Sequence, residues 1–174
     1  MHRKKQFGRK KNKFMAHNTE IERKFLVKSD DFKTQATEKL KIKQGYLCKE
    51  PGRTIRVRIC DTRAFLTIKS SVLRQGIAKF EWEKEIALAD AEEMMQICLP
   101  GAIEKTRYII PCTKFDIQCT QDKGRKWEVD VFHGRLEGRV LAEIELEDEN
   151  EPFVRPEWLG EEVTGKPEYY NANM

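Results

Sequence analysis

The stretch Asn18–Val27, NTEIERKFLV, decides the fold, because its side chains alternate with the period of a β-strand. One face carries Ile21, Arg23 and Phe25. The other face carries a row of charges, namely Glu20, Glu22 and Lys24. The segment runs on into two further apolar residues, so we expect it to pack on a core. A core strand that carries two carboxylates and an ammonium group on one face requires an explanation.

The same alternation recurs along the chain. Strand patterns, several of them with one apolar and one charged face, are found at 19–27, 41–49, 53–61, 64–71, 78–88, 103–112, 113–120, 125–134 and 138–148. Three segments are predicted to be helical or irregular: 29–41, with Ser29 or Asp30 as its cap; 89–101, with Asp90 and Glu93 in capping-box spacing; and 156–165. Many strands with few helices predict a mainly β, α+β fold built on an antiparallel sheet or barrel.

Charges segregate by strand. A sheet that is packed on one side has a solvated polar face on the other, and this ordinary explanation fits any single strand. However, the members of each i, i+2 pair have the same sign, and a solvated face gains little from like charges that repel. The basic pairs are Arg56 with Arg58 and Lys105 with Arg107; the acidic pairs are Glu20 with Glu22, Glu81 with Glu83, Glu128 with Asp130, and Glu143 with Glu145.

A closed barrel would place these rows in its lumen and the apolar bulk of Phe25, Trp82 and Trp127 outside, beneath covering helices. Carboxylates at i and i+2 can share a hard cation such as Mg²⁺ or Mn²⁺. One guanidinium group can donate two parallel hydrogen bonds to phosphate oxygens. Phosphoryl transfer requires mainly this combination of positioning and charge neutralisation. The pattern therefore indicates a site for a multivalent phosphate and a divalent metal.

The overall charge is misleading. The chain has 33 basic and 29 acidic residues, but residues 1–14 hold seven of the basic residues and no acidic residue, which leaves 26 basic residues against 29 acidic ones. Residues 1–17 are predicted to be a disordered basic tail, a cloning remnant or the product of a misassigned start, and residues 18–174 to be one domain. The acidic balance of that domain argues against nucleic acid as a partner.

The five cysteines form no C-x-x-C pair, which argues against a zinc site, and their odd number argues against a disulfide framework. We therefore expect a cytoplasmic protein. No apolar run is long enough for a membrane-spanning helix.

With these residues in place, the chain resembles the CYTH superfamily, the triphosphate tunnel metalloenzymes. The segment EIERKF at 20–25 matches the E-x-E-x-K motif of that family. The resemblance continues in order through QGYL (44–47), TIRVRI (54–59), LTIK (66–69), EWEKEI (81–86), EKTRY (104–108), WEVDVF (127–132), LAEIEL (141–146) and WLGEEVT (158–164). One such motif would be weak support, but the ordered series is strong.

The resemblance implies an eight-stranded antiparallel β-barrel that forms a tunnel for a triphosphate, with a few covering helices and dependence on Mg²⁺ or Mn²⁺. It implies metal-binding, catalytic carboxylates at Glu20, Glu22, Glu143 and Glu145. It implies phosphate-binding cations at Lys24, Arg56, Arg58, Lys69, Lys105 and Arg107. Of these, Lys24 is also implied to be catalytic. Further candidate metal or water ligands are Glu81, Glu83, Glu128 and Asp130, and Tyr46 is a candidate site-lining hydroxyl.

The chain departs from the family pattern at two places. Lys79 stands where bacterial relatives tend to have Arg. After GEEVT, Lys166 and Glu168 stand where relatives often have Asp-x-Arg-Tyr, which puts in doubt any role carried over from that segment.

The resemblance implies an enzyme, a metal-dependent triphosphatase that converts a small-molecule triphosphate, first of all inorganic tripolyphosphate, to diphosphate and phosphate. Two alternatives stay open: a class IV adenylate cyclase, which makes cyclic AMP and pyrophosphate from ATP, and a non-catalytic module that binds polyphosphate or nucleotides. The intact carboxylate pairs count against mere binding, because binding needs cations more than carboxylates. The sequence does not give the oligomeric state, and a homodimer stays among the expected partners.

Overall fold

The computed structural model of the 174-residue chain describes residues 19–71, 78–112 and 125–174. The strands in these ranges are β1 (Thr19–Val27), β2 (Glu38–Glu50), β3 (Arg53–Cys60), β4 (Arg63–Ser70), β5 (Ala78–Ile86), β6 (Ile103–Pro111), β7 (Lys126–Phe132), β8 (Val140–Leu146) and β9 (Leu159–Glu162). The two α-helices in the same ranges are α1 (Phe32–Gln35) and α2 (Leu88–Gln96).

Eight of the strands close into an antiparallel barrel in the order β5-β4-β3-β2-β6-β7-β8-β1. The barrel closes where β1 pairs with β5, with Thr19 opposite Phe80. Strand β9 then pairs with the second half of β1, where Phe25 lies opposite Glu162. Closure leaves none of the eight strands with a free edge along its whole length. The predicted eight-stranded antiparallel barrel with few helices is confirmed.

The two ends of the barrel differ. We call the end at which β1 finishes the upper end; because the strands alternate in direction, the β2–β3 turn and the β7–β8 connection lie there as well. At this end five buried side chains form an apolar cluster, the end cluster, which comprises Tyr46, Ile103, Phe132, Leu141 and Val163. The remainder of the interior is available for charged side chains.

The largest hydrophobic core lies outside the barrel wall. Phe25 and Trp127 are fully buried on the outer faces of β1 and β7, with ring centroids 5.6 Å apart. Trp158 packs on Trp127 at 5.8 Å and donates a hydrogen bond from Nε1 to Gln35 of α1 at 2.8 Å. The predicted position of the apolar bulk therefore holds for this side of the barrel. Trp82 of β5 also lies on the outer face, since Glu81 and Glu83 on either side of it line the cavity, but at 36% exposure it is not fully covered.

Helix α2 packs on the outer wall, where Ala91 contacts the buried residues Val57 of β3 and Ala64 of β4. The predicted capping box is wrong: the helix begins at Leu88 and its N-cap residue makes no side-chain hydrogen bond. Asp90 instead lies in the first turn, where a negative charge interacts favourably with the helix dipole.

Two other predicted elements differ from the structure. Only residues 32–35 of the predicted helix over 29–41 are helical, because Leu40 and Ile42 alternate with lysines and extend β2, which bonds to β3 and β6. The segment 156–165 contains a strand, β9, because pairing with β1 overrides its local preference.

The predicted tail 1–17 and the predicted strand 113–120 lie outside the described residues. None of the described helices has the length and hydropathy needed to cross a membrane.

Gly45 allows the segment after α2 to approach β2. A Cβ atom at this position would lie 2.5 Å from Sγ of Cys98. The next residue in that segment, Leu99, donates its N–H to the carbonyl of Tyr46 at 2.8 Å. The glycine of the QGYL segment is therefore explained by packing.

Candidate active site

The barrel encloses a cavity of about 1590 Å³ with a strongly charged lining. All of the predicted site residues line it except Lys105 and Asp130. Those that do are Glu20, Glu22, Lys24, Tyr46, Arg56, Arg58, Lys69, Glu81, Glu83, Arg107, Glu128, Glu143 and Glu145. They come from all eight strands of the barrel, so the cavity depends on its closure.

Strand register arranges the carboxylates. In the β1–β8 ladder Glu22 lies opposite Glu145, and Lys24 lies opposite Glu143. The ladder thus places a like-charged pair next to an oppositely charged pair. Side chains directly opposite each other in an antiparallel ladder are close neighbours. The two facing glutamates therefore form a concentrated patch of negative charge on one wall.

Burial and neighbouring carboxylates raise the pKa values of the carboxyl groups in this patch. Burial and the nearby Glu143 carboxylate raise the pKa of Glu22. Burial raises the pKa of Glu20 despite the neighbouring Lys69. Burial together with Glu20 raises the pKa of Glu145. A divalent cation would relieve this repulsion.

The donor chemistry fits a hard cation. Glu20, Glu22 and Glu145 offer carboxylate oxygens, which Mg²⁺ and Mn²⁺ prefer. Among the described residues, however, no three His, Cys, Asp or Glu side chains already converge closely enough to hold an ion. A shared ion would therefore require these glutamates to change rotamer. The residues fit such an ion in kind and in charge.

A basic group lies on β3 and β4. Arg58 donates from Nη2 to both carboxylate oxygens of Glu83 at 2.9 Å. Lys69 Nζ lies 2.7 Å from both oxygens of Glu20 and 3.2 Å from Glu81. Burial disfavours the charged form of Lys69, but the carboxylates of Glu20, Glu22 and Glu81 together outweigh it and raise the pKa of the ammonium group. These cations remain charged inside the protein.

Arg56 is less well satisfied. Its Nη2 atom lies 3.7 Å from Glu83 and 3.9 Å from Glu81, beyond hydrogen-bond distance. Its Nε is buried without a hydrogen-bond partner among the described residues, and the same is true of Nε of Arg58. Buried donors without partners are costly, so these guanidinium groups are prepared to receive acceptor oxygens. Thr67, which the sequence did not single out, donates to Glu83 at 2.6 Å and helps to position that carboxylate.

A second network joins β1, β6 and β8 through Glu143. The Lys24 ammonium donates to one oxygen of Glu143, and Arg107 Nη2 lies 3.3 Å from the other. Burial disfavours the ionised form of Glu143, but the two cations outweigh it and hold the pKa of Glu143 well below its usual range. Arg107 also donates to Glu128. Glu143 is thus paired with two cations, whereas Glu22 shares Lys24 with it at the longer distance of 3.2 Å.

Lys105 and Asp130 lie behind this lining. Asp130 is fully buried and Lys105 is 2% exposed, and neither lines the cavity. Burial lowers the pKa of Lys105 to about 8. The structure therefore does not bring these two predicted site residues together with the others at the cavity surface.

Tyr46 lines the cavity and also belongs to the end cluster. Other lining residues were not predicted. Lys79 lies over the ring of Tyr170 at 4.2 Å, and Tyr170 and Asn171 also line the cavity. The C-terminal segment has no charge pattern that could have identified them; only the position of Lys79 beside the paired glutamates gave a signal.

Comparison with known proteins is consistent with this geometry. The family model of the CYTH domain matches residues 18–172. The inorganic triphosphatase of Acetivibrio thermocellus is 42% identical over 156 residues, which cover 89% of this chain and 92% of that protein. The inorganic triphosphatase of Nitrosomonas europaea is 34% identical over 160 residues, covering 90% and 96%. The crystal structure of an inorganic triphosphatase superposes with a TM-score of 0.57 at 32% identity, covering 88% and 92%.

Proposed function

The chain belongs to the CYTH domain family, and we propose that it is a metal-dependent triphosphatase that hydrolyses inorganic tripolyphosphate to diphosphate and phosphate. One observation carries the proposal: candidate phosphate-binding cations and candidate metal-binding carboxylates line a single cavity. The substrate is a small-molecule triphosphate. The related inorganic triphosphatases support its inorganic nature.

Exchange of acceptors explains how the site binds a triphosphate. Without substrate, the carboxylates of Glu83 and Glu20 hold Arg58 and Lys69 in place. Phosphate oxygens take over as acceptors for these cations and for the unpaired Nε donors of Arg56 and Arg58. The binding groups are therefore largely oriented before the substrate arrives, which reduces the entropic cost of binding.

The glutamates whose carboxyl groups have raised pKa values define the catalytic part of the site. We assign Glu22 and Glu145, with Glu20, as the residues that hold Mg²⁺ or Mn²⁺. When bound, a divalent cation supplies charge neutralisation for phosphoryl transfer and orients the attacking water. Lys24 and Arg107 contact the phosphate chain and stabilise the charge that develops as the bridging P–O bond breaks. Water supplies the oxygen of the new P–O bond, and the diphosphate leaves.

The proposed location is the cytoplasm. Cys48, Cys60 and Cys98 are free thiols in the structure, and free thiols persist in a reducing compartment.

Product analysis tests the proposal. Purified protein with Mg²⁺ or Mn²⁺ receives tripolyphosphate and ATP in parallel. We expect orthophosphate from tripolyphosphate, and much less from ATP. Cyclic AMP and pyrophosphate from ATP would indicate the cyclase instead. Metal-dependent binding of triphosphate without any product would indicate a binding module.

A further inference from the structure

Asp130 and Lys105 form a buried ion pair directly behind Arg107. Asp130 accepts hydrogen bonds from Nε and Nη2 of Arg107, each at 2.7 Å, and a third from Lys105 Nζ at 2.5 Å. The guanidinium group of Arg107 and the carboxylate of Asp130 thus form a bidentate pair, the geometry that orients a guanidinium most firmly. Of the three residues, only Arg107 reaches the cavity.

The ladder between β6 and β7 explains this difference in depth. Arg107 lies opposite Asp130, and Lys105 lies opposite Phe132, one step nearer to the upper end. All of these side chains point into the barrel, because residues two apart share a face. The Lys105 ammonium lies 5.4 Å from the centre of the Phe132 ring, which belongs to the end cluster. Apolar packing therefore separates Lys105 from the cavity.

The charges of the three groups suggest what the pair does. If Asp130 were paired with Arg107 alone, the two would form a neutral unit that attracts phosphate weakly. Lys105 adds a second positive charge, so the buried group of three carries a net charge of about +1 when all three are ionised. Arg107 faces the cavity and also interacts with Glu128 and Glu143, so the charge of Lys105 offsets Asp130 and leaves more of the positive charge of Arg107 to attract phosphate.

We propose that Lys105 and Asp130 are positioning residues that contact neither triphosphate nor metal: Asp130 orients Arg107, and Lys105 offsets the charge of Asp130 so that Arg107 attracts phosphate. This inference rests on the proposed function. It differs from the roles that the family resemblance implies, in which Lys105 binds phosphate and Asp130 is a candidate metal ligand.

A cycle of two substitutions tests the proposal by rescue. Binding of tripolyphosphate is measured by calorimetry in EDTA, so that turnover does not interfere. Lys105→Met leaves Asp130 to neutralise Arg107, and we expect the Kd for tripolyphosphate to rise about tenfold. Adding Asp130→Asn removes the excess negative charge, and the Kd should return to within about threefold of the wild-type value. If Lys105 contacts phosphate, the double variant will bind no better than Lys105→Met, and the proposal fails.

A separate measurement addresses metal binding. We expect Asp130→Asn, alone or in the double variant, to leave the rise in melting temperature caused by Mg²⁺ or Mn²⁺ unchanged. Loss of that rise would make Asp130 a metal ligand and overturn the proposal. Thermal unfolding checks that each variant is folded, and Lys105→Gln replaces Lys105→Met if that variant does not fold.

The chain offers a matched control on the outer face of the same strand. Lys43 and Glu104 form a cross-strand ion pair at 3.8 Å between β2 and β6, and both are exposed. The cycle of Lys43→Met and Glu104→Gln should leave the Kd unchanged.

Wild-type protein that binds tripolyphosphate but does not hydrolyse it would overturn only the proposed function. Wild-type protein that does not bind it would also overturn this inference, because the charge of Arg107 would then have no phosphate to attract.

Discussion

Glu22 of β1 and Glu145 of β8 lie directly opposite each other across an antiparallel ladder, although 122 residues of sequence separate them. Like charges in this arrangement are destabilising, and burial raises the pKa of both carboxyl groups. This pair is therefore the strongest candidate for a metal-binding position in the cavity.

Glu145→Gln should remove the metal response without harming the fold. In the absence of metal, we expect its melting temperature to equal or exceed that of the wild type, because one of two repelling charges is gone. A metal concentration of about 100 times Kd stabilises the wild type by roughly 2.7 kcal/mol, and the variant should lose most of this. The control is Glu104→Gln, an exposed glutamate on β6. A wild-type metal response in Glu145→Gln would refute the assignment.

Arg58→Ala should weaken the binding of triphosphate. A hydrogen bond to a charged group contributes about 1.5–3 kcal/mol, so KM for tripolyphosphate should rise roughly 10- to 150-fold. Arg63 is the matched control, because it holds Glu85 in a similar paired contact at 3.0 and 2.6 Å but does not line the cavity. Arg63→Ala should change KM less than about twofold. Equal effects of the two substitutions would contradict the binding role of Arg58.

Gly45→Ala should destabilise the protein through overpacking. The added Cβ would lie 2.5 Å from Sγ of Cys98, and such collisions typically cost about 1–3 kcal/mol. Urea unfolding measures the loss. Adding Cys98→Ala removes the nearest atom, so the double variant should recover part of the stability. If Gly45→Ala is as stable as the wild type, the packing explanation of this glycine is wrong.

The link between β1 and β9 should depend on pH. Arg23 donates to both oxygens of Glu162 at 2.5 and 2.6 Å, and this hydrogen bonding lowers the pKa of the Glu162 carboxyl group. A lowered pKa stabilises the fold above the pKa of the unfolded chain, and the gain is lost as pH falls through the folded value.

Glu162→Gln should therefore be less stable than the wild type at pH 7, by about 1 kcal/mol or less because the pair is only partly buried. The difference should vanish as the pH is lowered below the folded pKa of Glu162. Glu161→Gln is the control, since the ion pair of Glu161 with Lys166 is exposed. A stability difference that grows at acid pH would contradict the prediction, and denaturant titrations across the pH range decide the matter.

Much of the architecture could be read from local pattern. Alternation of apolar and charged residues has a period of two, and this period is a property of the backbone, so the strands of the wall were identified segment by segment. Helix ends and short strands were less well predicted. Strand β9 was expected to be helical or irregular, because its four residues, Leu159–Glu162, become a strand only through hydrogen bonds to β1.

The sequence by itself determined which faces carry charge and which chemical groups the cavity contains. The tertiary structure alone decided which charges meet. It set Glu22 against Glu145 and Lys24 against Glu143, and it placed Lys105 and Asp130 behind the cavity wall. The physical reason is that alternation fixes only the side of a strand on which a residue lies. Partners and depth depend on register and on barrel closure, which join residues that are far apart in the chain.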